Sequence, residues 1–111
     1  GINQLLQLNI PKELVNLTEV YCYDNQLQQL NLPAELVNLT ILDCSLNKLQ
    51  QLNIPGELVN FTELSCGGNV SLKLIIPNIP PKLKEVHCLN ISPNNKPLID
   101  RLVAQGIKVK Y

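Results

Sequence analysis

The sequence predicts an α/β solenoid: a right-handed superhelix with a parallel β-sheet on its concave face and short helical or extended segments on its convex face. Three observations carry this expectation. Leu39 to Leu49 reads LTILDCSLNKL, and its spacing recurs upstream at Leu17, Val20, Cys22, Asn25 and Leu27 and downstream at Phe61, Leu64, Cys66 and Asn69. A decayed copy runs from Leu83 through Val86 to Cys88. The cysteines Cys22, Cys44, Cys66 and Cys88 follow one another at a constant step of 22 residues. A fixed period of that length marks a chain of stacked supersecondary units, none of which can bury its apolar face alone.

The repeated segment fits the pattern L-x-x-L-x-L-x-x-N-x-L, with Cys44 at the third apolar position and Asn47 at the asparagine. In this it resembles the leucine-rich repeat family, and the resemblance covers almost the whole chain. What the family implies is a recognition scaffold; a fold by itself does not name a partner.

Composition agrees with a narrow aliphatic core. Hydrophobic residues make up 45% of the 111 residues but aromatics only 4%, so leucine must fill the interior. The formal net charge is +0 and no block of like charge occurs, which removes the basic footprint of a nucleic-acid binder. No run of about 18 apolar residues exists to make a membrane-spanning helix.

Residues 1–88 are read as repeats and 89–111 as a C-terminal capping unit. Asn3, Gln4 and Leu5 match Asn25, Gln26 and Leu27 one step earlier, so the chain is expected to open mid-repeat without an N-terminal cap, with Gly1 a processing remnant. Each strand is expected around Val20–Cys22, Leu42–Cys44, Leu64–Cys66 and Val86–Cys88. The return segments open Leu8-Asn-Ile10-Pro11-Lys-Glu13, Leu30-Asn-Leu32-Pro33-Ala-Glu35 and Leu52-Asn-Ile54-Pro55-Gly-Glu57. Proline suits the first turn of a helix and glutamate its positive end, so each return segment should carry one short helical turn.

The fourth return segment differs. Pro77, Pro80 and Pro81 forbid a regular helix and favour an extended path, resembling the bacterial effector class of leucine-rich repeats. After Cys88 the pattern fails, since Ile91 stands where an asparagine is due. The closing unit should comprise a polar loop, a helix over about 97–105 and a strand over about 107–111. Leu98, Ile99, Leu102 and Val103 should form the helix's apolar face, Gly106 its end, and Val109 should take the inward slot of the cysteine column.

Four cysteines invite a metal or disulfide reading. In stacked strands they point inward in a row at about 4.8 Å steps, so the outer pair stands about 14 Å apart and cannot share one tetrahedral ion. Neighbouring side chains run parallel instead of facing, which opposes a disulfide. They read as a ladder of small buried thiols, favouring folding in a reducing compartment. Asn25, Asn47 and Asn69 read as a second structural ladder satisfying backbone groups. No cofactor and no metal is called for. Asn16, Asn38, Asn60, Asn69 and Asn90 begin glycosylation sequons, but three of these are one repeat residue seen three times.

The outward strand positions should form the working surface. One column is Glu19, Ile41, Glu63 and Glu85; the next is Tyr21, Asp43, Ser65, His87 and Lys108; the third is Tyr23, Ser45, Gly67, Leu89 and Lys110. Tyr21, Tyr23 and Asp24 lie beside Ile41 and Asp43, and tyrosine is a favoured interface anchor, so this end is the expected hot spot. His87 stands outward with Glu63 and Glu85 on the same side, but no placed nucleophile completes a catalytic set, so no enzymatic activity is expected. The expected function is a protein-recognition module acting through the concave face, resembling the substrate-recognition part of bacterial or viral effector proteins. The alternative is a structural segment that self-associates through its uncapped N-terminal edge.

Overall fold

The computed structural model describes residues 6–111; Asn3, Gln4, Leu5 and Gly1, on which the mid-repeat opening was read, lie outside them. The described residues form a repeat-like α/β fold of short parallel strands. In order these are β1 (Gln7–Asn9), β2 (Glu19–Tyr21), β3 (Gln29–Asn31), β4 (Ile41–Asp43), β5 (Gln51–Asn53), β6 (Glu63–Ser65), β7 (Lys73–Ile75) and β8 (Glu85–His87). A single 3₁₀ turn at Pro93–Asn95, helix α1 (Lys96–Ala104) and β9 (Lys108–Lys110) follow.

The main sheet has the order β2-β4-β6-β8-β9, all parallel. Its register steps by one repeat, Val20 opposite Leu42, Leu42 opposite Leu64 and Leu64 opposite Val86. These central residues face the core, while the residues on either side face out. The strands stop after three residues, but the ladder continues. Cys22, Cys44, Cys66 and Cys88 each donate an N–H to the next strand's carbonyl at 2.7–2.9 Å. Two residues on, the N–H groups of Asp24, Leu46 and Gly68 do the same at 2.8–3.0 Å. There the backbone turns left-handed at one position per repeat: φ is +58° at Asp24, +57° at Leu46, +77° at Gly68 and +60° at Asn90. That reversal breaks the strand and tips the following asparagine inward.

A second set of strands was not expected. The start of each return path is itself a strand, Gln-Leu-Asn in β1, β3 and β5 and Lys-Leu-Ile in β7: β1 pairs with β3 and β5 with β7, in the same one-repeat register. Leu30, Leu52 and Leu74 point inward, and Ile10, Leu32, Ile54 and Ile76 follow them into the core. The core thus lies between two layers of strands and is almost wholly aliphatic, with Phe61 the one fully buried aromatic among the described residues. Burying each leucine stabilises the fold by about 1.5–3 kcal/mol.

The return segments carry no helix. Each makes two consecutive tight turns, for example Leu36 N–H to Pro33 C=O at 3.3 Å and Leu39 N–H to Leu36 C=O at 3.1 Å. Leu36 and Leu58 are buried at the junction of the turns. A helix would need to fix several residues before gaining its first bonds. Nine residues between β3 and β4, pinned by strands at both ends, leave no room for that. The fourth segment also contains no helix and closes in one turn, Leu83 N–H to Pro80 C=O at 3.1 Å.

The closing unit corrects the expected register. Val109 pairs with Val86, not with the cysteine column; Lys108 therefore stands opposite Glu85 and Lys110 opposite His87. Val109 follows Val86 by 23 residues, one more than the repeat step, so β9 sits two places from the expected register, in which Val109 lay opposite Cys88. Helix α1 begins at Lys96, one residue before Pro97. Leu102 alone is fully buried on it, Leu98 and Ile99 are half-buried, and Val103 faces solvent instead of the core. Gly106, at φ +82°, turns the chain from α1 into β9.

Candidate interaction surface

The outward face of the main sheet is built from two columns fixed by the strand register. The first is Glu19, Ile41, Glu63, Glu85 and Lys108; the second is Tyr21, Asp43, Ser65, His87 and Lys110. Tyr23, Ser45, Gly67 and Leu89 continue beyond the strands. Gly67 cannot be a larger residue: a Cβ there would come within 2.8 Å of the Leu89 carbonyl oxygen.

At the upstream end, Tyr21 and Tyr23 are 57% and 54% exposed. The Tyr21 hydroxyl donates to Glu19 Oε1 at 3.1 Å, and that bond to a carboxylate holds the phenol's pKa above its usual range. Asp43 is half-buried and accepts from Ser45 Oγ at 2.6 Å and Ser45 N–H at 3.1 Å, so its carboxylate is oriented before anything binds. Ile41 and Ser45 are half-buried beside it, and Asp24 is exposed at its left-handed turn. The structure thus brings the expected hot-spot residues onto one face at adjacent strand ends.

At the downstream end, Glu63, Glu85 and His87 gather with one ligand-type atom each within 4.8 Å of one another. Glu63 and Glu85 are directly opposite across β6 and β8. His87 Nε2 lies 3.1 Å from Glu85 Oε2, and Lys108 Nζ lies 3.8 Å from Glu85 Oε1. The imidazole and Glu63 both favour an ionised Glu85, whose pKa falls below the ordinary value. Glu63 holds its proton more tightly than usual because Glu85 accepts it and burial opposes its charge. Ser65 lies half-buried between the two ends of the face.

Behind this face the cysteines and asparagines sit in the interior. All four cysteines are free and buried. Loss of solvation pushes the Cys22 thiol up to about 11 and raises Cys44, Cys66 and Cys88 as well, so none is a ready thiolate. Asn47 Oδ1 accepts from Leu27 N–H at 3.0 Å, and its Nδ2 donates to the carbonyls of Cys22 and Cys44 at 2.9 and 3.0 Å. Asn69 repeats this with Leu49, Cys44 and Cys66. Asn25 is half-buried and donates to Cys22 and Tyr23 carbonyls.

A further buried asparagine, which braces β7 instead of the cysteine carbonyls, was missed. Asn95 is buried, accepts from Leu74 N–H at 2.8 Å and donates to the carbonyls of Leu72 and Ser92. Period counting looked for it at position 91, where Ile91 stands, because the loop after Cys88 delays the asparagine to the helix start. Among the sequons, Asn69 is fully buried and its amide is committed, so it cannot carry a glycan. Asn38 and Asn60 donate to the carbonyls of Val15 and Val37 on the opposite surface.

Among the described residues, no helix is long and apolar enough to cross a membrane. Comparison with family models, curated proteins and solved structures returns no match for this chain.

Proposed function

We propose that this chain is a leucine-rich-repeat solenoid acting as a non-enzymatic protein-recognition module, with the outward face of the main sheet as its binding surface. The observation that carries this is a division of labour along each strand. Inward positions repeat as Val20, Leu42, Leu64 and Val86, while one outward column changes at every step, Tyr21, Asp43, Ser65 and His87, and the other runs Glu19, Ile41, Glu63 and Glu85. The two exposed tyrosines lie on the varied side beside the oriented carboxylate of Asp43. Rigid aromatic side chains on a preformed sheet lose little conformational freedom when covered. The proline-rich fourth return segment favours the bacterial-effector class of these repeats and a protein partner in a host cell. Folding with four free thiols suits a reducing compartment.

The test is affinity capture with three proteins: the unaltered chain, a Tyr21→Ala/Tyr23→Ala/Asp43→Ala variant, and a Gln29→Ala/Gln51→Ala control on the second layer of strands. A partner held by the unaltered chain and the control but lost with the triple variant is the expected result. Equal capture by all three would overturn the assignment.

A second reading has one observation behind it. Leu14 is 49% exposed, whereas Leu36 and Leu58 at the same repeat position are fully buried. An apolar surface there suits end-on self-association, which sedimentation at increasing concentration would reveal.

A further inference from the structure

We propose that Glu63, Glu85 and His87 form a site for one divalent cation of the zinc type, held between β6 and β8 on the outward face of the main sheet. This inference stands apart from the protein-recognition reading, because it needs no partner.

The register makes the cluster. Glu63 and Glu85 are cross-strand neighbours, and His87 is two residues beyond Glu85 on the same face. Like charges placed directly opposite one another in a sheet are destabilising. Lys108 offsets part of that from the far side of Glu85, but its side chain is 68% exposed and reaches only Glu85. Nothing in β6 or β8 requires two glutamates here, since Ile41 fills the same column one strand away.

The imidazole supplies a second, independent pointer. The His87 side chain is 34% exposed, but its Nε2 atom is shut off from solvent and lacks a well-formed hydrogen bond, its one polar neighbour being Glu85 Oε2 at 3.1 Å. A buried ring nitrogen left without a partner is costly, and a metal ion is a partner that satisfies it.

The donor set fits the ion. Two carboxylate oxygens and one imidazole nitrogen are ordinary zinc ligands at about 2.0–2.2 Å, which sets donor atoms about 3.4 Å apart in a tetrahedron. The Glu85–His87 separation of 3.1 Å is already near that value, and the full cluster lies within 4.8 Å. A change of glutamate rotamer closes the remainder. Nitrogen in the set favours zinc or cobalt over magnesium and calcium, which prefer oxygen cages. The outward side of the site stays open for a fourth ligand from water or another molecule.

The experiment is calorimetric titration of the tag-free protein with zinc chloride, paired with the visible spectrum of the cobalt-loaded protein. The expected result is one ion per chain, weakened roughly tenfold or more by Glu63→Gln or His87→Gln. Lys108→Ala should bind at least as tightly as the unaltered chain. Both ligand variants replace partly exposed surface side chains, and circular dichroism verifies that they fold. Cobalt should show ligand-field bands of an oxygen–nitrogen site without sulfur charge transfer. Absence of binding, binding unchanged in both variants, or thiolate bands from the cysteines would each overturn the proposal.

Discussion

At the scale of single residues, what holds the repeats together is amide chemistry in a dry place. Asn47 is 6% exposed and joins one backbone N–H to two buried carbonyls across two repeats. Removing its side chain leaves those groups without partners, and each costs about 1–3 kcal/mol when water cannot reach it. Asn47→Ala is therefore expected to destabilise the fold by about 2–4 kcal/mol in urea unfolding. Asn38→Ala also deletes a hydrogen bond, to the Val15 carbonyl, but at an exposed site where water replaces it. Its cost should stay under about 1 kcal/mol. Equal losses for the two would contradict the assignment of Asn47 as an interior brace. Asn25, Asn47 and Asn69 were legible from spacing alone. Asn95 was not, because a period is blind to an insertion while a buried carbonyl is not. The Glu63–Glu85–His87 group was half legible: alternation puts the three on one side, but only register shows that they touch.

At the scale of elements, the sequence was read correctly where one force dominated. The inward leucines and cysteines are set by burial, and the main-sheet strands lie within a residue of their expected places. The return segments were misread because local preference and tertiary constraint disagree there. Proline and glutamate favour a helix start, yet the short span between two strands selects paired turns. The second layer was missed although Gln29-Leu30-Asn31-Leu32 alternates polar and apolar residues as a strand should. The left-handed turn offers a test of how each repeat ends. Leu46 adopts φ +57° with a bulky side chain, where a left-handed backbone costs about 1–2 kcal/mol except for glycine or asparagine. The equivalent Asn90 and Gly68 meet that demand directly. Leu46 is 57% exposed, so little burial is lost on replacing it. Leu46→Asn should raise stability by roughly 0.5–1 kcal/mol, measured by thermal or urea unfolding. A clear loss of stability would mean that Leu46 packs on its neighbours more than its exposure implies.

At the scale of the whole molecule, the described residues span 43 × 31 × 17 Å, with the main sheet running through four repeats and the closing unit. Everything proposed for the outward face of that sheet depends on the stacking register. One residue of slip would turn Tyr21, Asp43 and His87 inward and bring Cys22 and Cys44 to the surface. The closing unit shows how sensitive this is: a strict 22-residue step would set Lys108 opposite the inward Val86, and one extra residue sets it in the outward Glu85 column instead. Sequence periodicity carried the first four units of the main sheet and failed at the fifth, where the period itself changes. The measurement that tests the account most directly is a backbone nuclear magnetic resonance study of cross-strand contacts in the main sheet. It should find Val20–Leu42, Leu42–Leu64, Leu64–Val86 and Val86–Val109 as successive parallel neighbours, with the amides of Cys44 and Cys66 strongly protected from exchange. Contacts that pair Cys88 with Val109, or rapid exchange at those cysteine amides, would contradict the register and the surface built on it.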